Sequence, residues 1–284
     1  MKVTYYPGCS LEGTARDYAD SIEGICRLLG IDLEEIPDWN CCGATAAHSI
    51  NHRAGIELPG RNLDLAASLS NTDMLVPCPM CFNRLRTAAR EKESNGSQGG
   101  KKPGAKIPKI WDMANFFATG PMLEKIESLV TRPLERLKLV AYYGCMSSRP
   151  PAVTGAEDYE NPQSLDKIAT SLGATVIDWP YKTDCCGASL MISRPDMGLK
   201  MSAKILEMVR RVGAEAVVVS CQMCQVNLDM YQERMEAELG KMFGLPIIYF
   251  TELIGVAAQV PETPGWLSRH FVDSLALLRR HRLI

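Results

Sequence analysis

Several kinds of segment are missing from this 284-residue chain, and each absence excludes a class of function. No apolar run approaches the ~20 residues that a membrane-crossing helix needs. The first residues, Met1-Lys2-Val3-Thr4-Tyr5-Tyr6, lack the apolar stretch of a secretory signal and lead straight into a motif. Positive charge is not in excess. Lys and Arg number 31 against 33 Asp and Glu, a net charge of −2, so no broad basic field exists for nucleic acid or an anionic membrane. No Gly-x-Gly-x-x-Gly occurs, so no flavin or nicotinamide site is expected, and electrons must arrive from another protein. These absences predict a soluble, cytoplasmic protein without a membrane span or a nucleic-acid partner.

Cysteine, by contrast, is abundant, at 11 residues. In a long chain expected to sit in a reducing compartment, clustered thiols point to metal binding or redox chemistry rather than to disulfides. They fall into two matching sets. The first is Cys9, then 31 residues, Cys41-Cys42, then 35 residues, Cys78-x-x-Cys81. The second is Cys145, then 39 residues, Cys185-Cys186, then 34 residues, Cys221-x-x-Cys224. Only Cys26 is left over, on the apolar stripe of a helix, where a buried structural thiol is the plain reading. Neighbours repeat as well: "YYPGC" answers "YYGC", "CPMCFNRL" answers "CQMCQVNL", and both "CCGA" pairs follow an Asp-Trp. The chain is therefore one unit written twice, with an expected division into residues 1–133 and 134–284. The Gly/Ser/Lys stretch 94–106 reads as a flexible surface insertion in the first half, and 149–162 as a second loop.

Each half alternates strand and helix signals. Strands are expected at 3–6, 32–36 and 74–76, then at 139–143, 175–177, 216–219 and 247–250. Helical spacing appears in Ala15/Tyr18/Ile22/Ile25/Leu29, ended by Gly30, at about 60–69, and from about Met80. In the second half it appears in Leu165/Ile168/Leu172 and Met201/Ile205/Met208/Val212. Alternation of this kind predicts an α/β fold: two homologous units related by a pseudo-twofold axis, each a small, largely parallel sheet with flanking helices. The motif cysteines then sit at or just past strand carboxyl ends, where open α/β sheets collect ligands.

Five thiols per half exceed the four that a structural zinc ion or a cubane [4Fe–4S] cluster takes. An adjacent pair reaches one centre only if the chain turns there, and Gly43 and Gly187 permit that turn. The repeated surplus favours an unusual iron–sulfur centre over zinc, with a non-catalytic zinc module kept as an alternative.

The pattern of one Cys, a Cys-Cys pair with Gly and a Cys-x-x-Cys resembles the cysteine-rich CCG domain. Over essentially its whole length the chain resembles the B subunit of heterodisulfide reductase. That resemblance implies two non-cubane [4Fe–4S] clusters, one held by Cys9, Cys41, Cys42, Cys78 and Cys81, the other by Cys145, Cys185, Cys186, Cys221 and Cys224. It also implies two partners in a multi-subunit complex, a protein with ferredoxin-type [4Fe–4S] clusters and a flavoprotein. In the methanogen enzymes the first pair tends to be followed by proline. "CCGATAAHS" here resembles the bacterial, non-methanogenic branch, which puts the coenzyme M–coenzyme B disulfide in doubt as substrate but not disulfide chemistry.

Two matched centres facing one cleft suit a two-electron cleavage of a locally symmetric S–S bond. The expected activity is that of a catalytic subunit reducing a disulfide to two thiols. The alternative is an electron-transfer CCG protein within a lactate-, glycolate- or quinone-linked complex. His48 and His52, just after the first pair, are candidate proton donors, against the plainer reading of exposed helix histidines. Lys182 and Arg194 are candidate holders of a substrate anion, against the plainer reading of solvated surface charge. Met80 and Met223 are expected to pack against the clusters, and Trp39 and Trp179 to shield them from water. Residues 266–284 read as one amphipathic helix with a cationic end, a candidate docking element for a partner protein.

Overall fold

The computed structural model describes residues 1–44, 46–69, 71–98 and 107–284. The first sheet contains β1 (Lys2–Tyr5), β2 (Asp32–Glu35), β3 (Asp73–Val76) and β4 (Lys109–Asp112), in the spatial order β2-β1-β3-β4. The second contains β5 (Lys138–Tyr142), β6 (Thr175–Val176), β7 (Ala216–Val219) and β8 (Ile247–Tyr249), in the order β6-β5-β7-β8. All pairings are parallel. The same order appears twice, so the repeat seen in the cysteines is a repeat of topology. β4 is the one strand with no counterpart among the sequence expectations. Its "KIWD" has charged ends and no apolar run, and it is held as an edge strand by register with β3.

The helices that matter for the site are α1 (Arg16–Leu28), α2 (His52–Ser68), α3 (Pro79–Gln98), α4 (Met113–Phe117) and α5 (Gly120–Leu129) in the first half. In the second they are α6 (Ser164–Ser171), α7 (Pro195–Arg211), α8 (Gln222–Asp229), α9 (Phe250–Ala257), α10 (Thr263–Leu267) and α11 (Ser274–Arg280). α2 starts earlier than expected because Asn51 caps it, accepting from the Ala54 amide, and it carries Pro59 in its interior. Of the expected insertion 94–106, residues 94–98 continue α3, and 99–106 lie outside the described residues.

The halves share a core. Along the first sheet Val3, Tyr5 and Leu75 face one apolar cluster, while Tyr6, Met74 and Val76 face another, as strand alternation requires. The first cluster runs on without a break into the second half through Leu139, Val218 and Tyr249. Helix packing across the seam is reciprocal. α1 of the first half lies on α9 of the second, and α6, the counterpart of α1, lies on α4 and α5. Tyr18 stacks on Tyr249 with ring centroids 4.1 Å apart, Phe117 meets Phe250 at 5.3 Å, and the Ser21 and Thr251 hydroxyls are 2.7 Å apart. This exchange of equivalent helices is the approximate twofold expected from the repeat.

The C-terminal segment departs from expectation. Instead of one amphipathic helix, α10 and α11 are separated by a turn and fold back on the chain itself. Trp266 packs under α1 so closely that a Cβ on Gly24 would stand 2.8 Å from its ring. The cationic end is partnered internally, since Arg280 and His281 both meet Glu215.

Candidate redox centre

Each sheet changes winding direction between its two central strands, β1 and β3 or β5 and β7. The crevice beyond the carboxyl ends of such strands is where α/β sheets bind ligands. Cys9 follows β1 and Cys78 follows β3. Cys145 follows β5, and Cys221 is the residue just before α8. Both Cys-x-x-Cys motifs thus open a helix at the switch point. The Cys81 thiol has the largest influence on Cys78, and the Cys81 and Met80 amides point at the same sulfur. Together they outweigh burial and hold Cys78 down at about 7.

Burial repeats at four of the five positions, the exception being Cys9, exposed where Cys145 is half-buried. Cys42, Cys78 and Cys81 are buried, as are Cys186, Cys221 and Cys224. Cys41 and Cys185 are exposed, so the two members of each pair point to opposite sides of the turn. Contacts repeat too. Cys42 Sγ lies 3.2 Å from Cys81 Sγ, and Cys186 Sγ lies 3.7 Å from Cys224 Sγ. The amides of Gly43 and Gly187 approach the Cys41 and Cys185 sulfurs at 3.5 and 3.4 Å. A tyrosine holds each pair in place: Tyr6 Oη donates to the Asn40 carbonyl at 2.9 Å, and Tyr142 Oη to the Asp184 carbonyl at 2.7 Å.

The glycine before the first cysteine of each set is required by space. Gly8 and Gly144 have φ of 73° and 66°, and a Cβ there would stand 3.2 Å from Cys81 Sγ and 2.9 Å from Cys224 Sγ. Only glycine brings this turn so close to a sulfur. Within each set some thiols are biased toward the thiolate and others away from it. Cys42 is lowered by its Cys81 neighbour, and Cys185 is lowered to about 6 by Cys145, whereas Cys81 and Cys224 are raised, each chiefly by its contact with the second cysteine of the pair, Cys42 or Cys186.

The two sets meet. Gln222, inside the second Cys-x-x-Cys, is 1% exposed, and its carboxamide lies beside the Cys78 sulfur of the first set without closing a hydrogen bond. Tyr18 feels both Cys78 and Cys221. Most of the buried side-chain polar atoms without a partner among the described residues belong to residues near the sets. They include Tyr18 Oη, both amide atoms of Gln222, Asn227 Oδ1 beside Cys186, and Oη of Tyr249, which ends β8 next to the strand that leads to Cys221. Buried polar groups are ordinarily satisfied, and the donors among these, the Tyr18 and Tyr249 hydroxyls and Gln222 Nε2, fit a bound, electron-rich group that accepts hydrogen bonds. Donor spacing argues in the same direction. A tetrahedral zinc site brings sulfurs to about 3.8 Å of one another. Among the described residues, no three of the cysteine sulfurs lie within 4.8 Å of one another. One pair in each set, Cys42–Cys81 and Cys186–Cys224, comes that close, but no third sulfur joins it, which suits a larger, multi-metal group.

A cavity of about 660 Å³ opens between the halves, and none of the ten motif cysteines lines it. Its wall includes Phe82 and Arg86 from the helix that carries Cys81, and Tyr143, Ser147 and Ser148 flanking Cys145.

The cysteine-rich domain family, CCG, matches residues 3–86 and 139–229, one copy in each half. The chain belongs to the CCG family. It is 30% identical, over 96% of its length and 98% of the relative's, to the 8-methylmenaquinol:fumarate reductase membrane anchor subunit of Wolinella succinogenes. It is 24% identical, over 98% of its length and 96% of the relative's, to the B subunit of the ferredoxin:CoB-CoM heterodisulfide reductase of Methanosarcina mazei. A crystal structure of a hypothetical protein from Helicobacter pylori shares the fold, with a TM-score of 0.71 at 10% identity over 96% of this chain. The chain spans 52% of that protein. Among the described residues no helix is long and apolar enough to cross a membrane.

Around the CCG thiols the remaining expectations divide. Trp179 is buried and tilts against Tyr142, and Trp39 is half-buried against Tyr6, so each packs on the tyrosine that holds its pair. Met80 and Met223 are half-buried at the borders of the two apolar clusters. Cys26 is buried, and burial pushes its thiol up to about 12, as suits a core residue. His48 and His52 are exposed. His48 Nε2 reaches only Ser49 Oγ, at 3.4 Å, and neither histidine bonds a sulfur among the described residues. Arg194 is exposed and paired with Asp196. Lys182 is neither surface charge nor an anion holder. It is 3% exposed and paired with Asp166 at 2.8 Å, and Asp166 also accepts from Tyr143 Oη. Sequence reasoning missed His270. It is bonded to Glu252 at 3.0 Å and faces Asp17 at 3.4 Å, which joins α1 to α9. Nothing in its local sequence marks it, because its partners are remote in the chain.

Proposed function

We propose that this CCG protein is the catalytic iron–sulfur component of a heterodisulfide reductase-like complex, reducing a disulfide to two thiols between two non-cubane [4Fe–4S] clusters. The observation that carries this reading is the meeting of two equal thiol sets, with Gln222 of one lying beside Cys78 of the other. Cys9, Cys41, Cys42, Cys78 and Cys81 would hold one cluster, and Cys145, Cys185, Cys186, Cys221 and Cys224 the other. When bound, each cluster supplies one electron and iron that acts as a Lewis acid toward thiolate.

The chain's own residues set the stage for that chemistry. Tyr6 and Tyr142 fix the turns that carry the Cys-Cys pairs, and the helix amides at Cys78 favour its thiolate. Trp39 and Trp179 exclude water. The balance is one disulfide, two electrons and two protons giving two thiols. The protons come from solvent, with His48 and His52 on the exposed helices after the first pair as the side chains that exchange them. Electrons come from a partner protein with ferredoxin-type [4Fe–4S] clusters, itself supplied by a flavoprotein partner, in a cytoplasmic complex. The division of the chain falls at about residue 133, ahead of β5.

The kinship with the fumarate reductase protein supports a second reading, in which the chain passes electrons on within another oxidoreductase complex. Metal analysis of anaerobically purified protein tests the ground common to both. The proposal expects about eight irons per chain, with acid-labile sulfide. Zinc with no sulfide would overturn it.

A further inference from the structure

The two Cys-x-x-Cys motifs differ at one inner position. The first has Pro79, which has no amide to offer, and the second has Gln222. A glutamine buried to 1% exposure with its Nε2 donor unpartnered is costly unless something accepts from that N–H. The same holds for Tyr18. Its ring is fully buried in the stack on Tyr249, where a phenylalanine would pack as well, yet it carries a hydroxyl with no partner. Register explains why these groups converge. Tyr249 ends β8 opposite Val219 of β7, two residues before Cys221, and Tyr18 is held against Tyr249 from the other half. Gln222 follows Cys221 directly and reaches back toward Cys78.

We infer that Gln222 and Tyr18 are shared positioning residues that donate hydrogen bonds to the sulfur-rich groups of both centres and so tie their reduction potentials together. Gln222 serves chiefly the first centre, across the seam from its own motif. Tyr18, stacked on Tyr249 at the end of β8 beside the strand that leads to Cys221, serves both. Hydrogen bonds to cluster sulfurs are a principal means by which a protein raises a cluster's potential. For a bond that takes two electrons, two centres held at neighbouring potentials by common donors deliver them in close succession. This inference rests on the iron–sulfur reading above.

The test is a potentiometric titration followed by electron paramagnetic resonance on anaerobic, cluster-loaded protein: wild type, Tyr18→Phe and Gln222→Met. Both substitutions keep shape and remove the donor, and iron and sulfide are measured first. Gln222→Met is expected to lower the midpoint of the first centre enough to change its oxidised-to-reduced ratio about tenfold at fixed potential, a shift of about 59 mV for one electron, with the second centre moved less. Tyr18→Phe is expected to lower both. Full iron content with both midpoints unchanged in both variants would overturn the inference while leaving the clusters standing. Wild type without iron and sulfide would instead remove the reading beneath it. A buried tyrosine serving only as core would leave the potentials where they are.

Discussion

Cys221→Ser is expected to abolish disulfide reduction, by a factor on the order of 10³ or more, and adding Cys78→Ser to it is expected to cost little further. The first effect follows from position. Cys221 is 6% exposed at the start of α8, at the switch point of its sheet, and no neighbouring residue can replace its sulfur. The second follows from the proposed division of labour. If the substrate bond is opened between the two centres, they act as a unit, and groups that act as a unit are grossly non-additive when removed together. The measurement is turnover of a small disulfide by the single and double variants, with iron content determined alongside. Each single variant should lose about half the iron. A double variant far slower than either single one would mean that each centre works alone.

His270→Ala is expected to destabilise the protein by about 3–5 kcal/mol, the range found when one partner of a buried ion pair is removed. Glu252 and Asp17 would be left facing each other without a cation, and the link between α1 and α9 would be lost. The melting temperature should fall by roughly 10 °C for a chain of this size. Burial alone would push the imidazole down, but the Glu252 carboxylate, with Asp17 and Asp229, outweighs it and holds His270 up at about 10. A raised histidine contributes stability that is complete below its unfolded value near 6.5 and is lost as pH climbs through about 10. Wild type should therefore lose stability between those limits, and His270→Gln should flatten that slope. Denaturant unfolding across the pH range checks both. An unchanged slope would mean that the imidazole is not the cation of this network.

Much of this architecture was legible in the sequence, for reasons that can be named. Cysteines are rare enough that two sets of five with matching neighbours cannot be read as core, and the Gly-Cys and Cys-Cys-Gly turns announce backbone that must bend close to sulfur. Continuous apolar runs such as "AVVVS" mark buried parallel strands. Local pattern failed where long-range contacts decide. β4 is a strand because β3 supplies its hydrogen bonds, not because "KIWD" demands it. Lys182 read as surface charge because its partner Asp166 is remote in sequence and their burial is a tertiary fact. The tail read as one docking helix because its apolar stripe is real, but the surface it covers is α1 of the same chain. The histidines show the same limit. His48 and His52 drew attention by standing near a motif, whereas His270, far from any motif, is the one buried with two carboxylates.

The central claim is that the two thiol sets flank one site at which substrate sulfur is engaged by both centres. It is tested most directly by electron paramagnetic resonance of the oxidised, cluster-loaded protein titrated with small thiols. The account predicts that thiol changes the paramagnetic signal in wild type and that the change disappears in Cys78→Ser and in Cys221→Ser alike. A signal indifferent to thiol at every concentration would contradict it and leave a protein that only relays electrons.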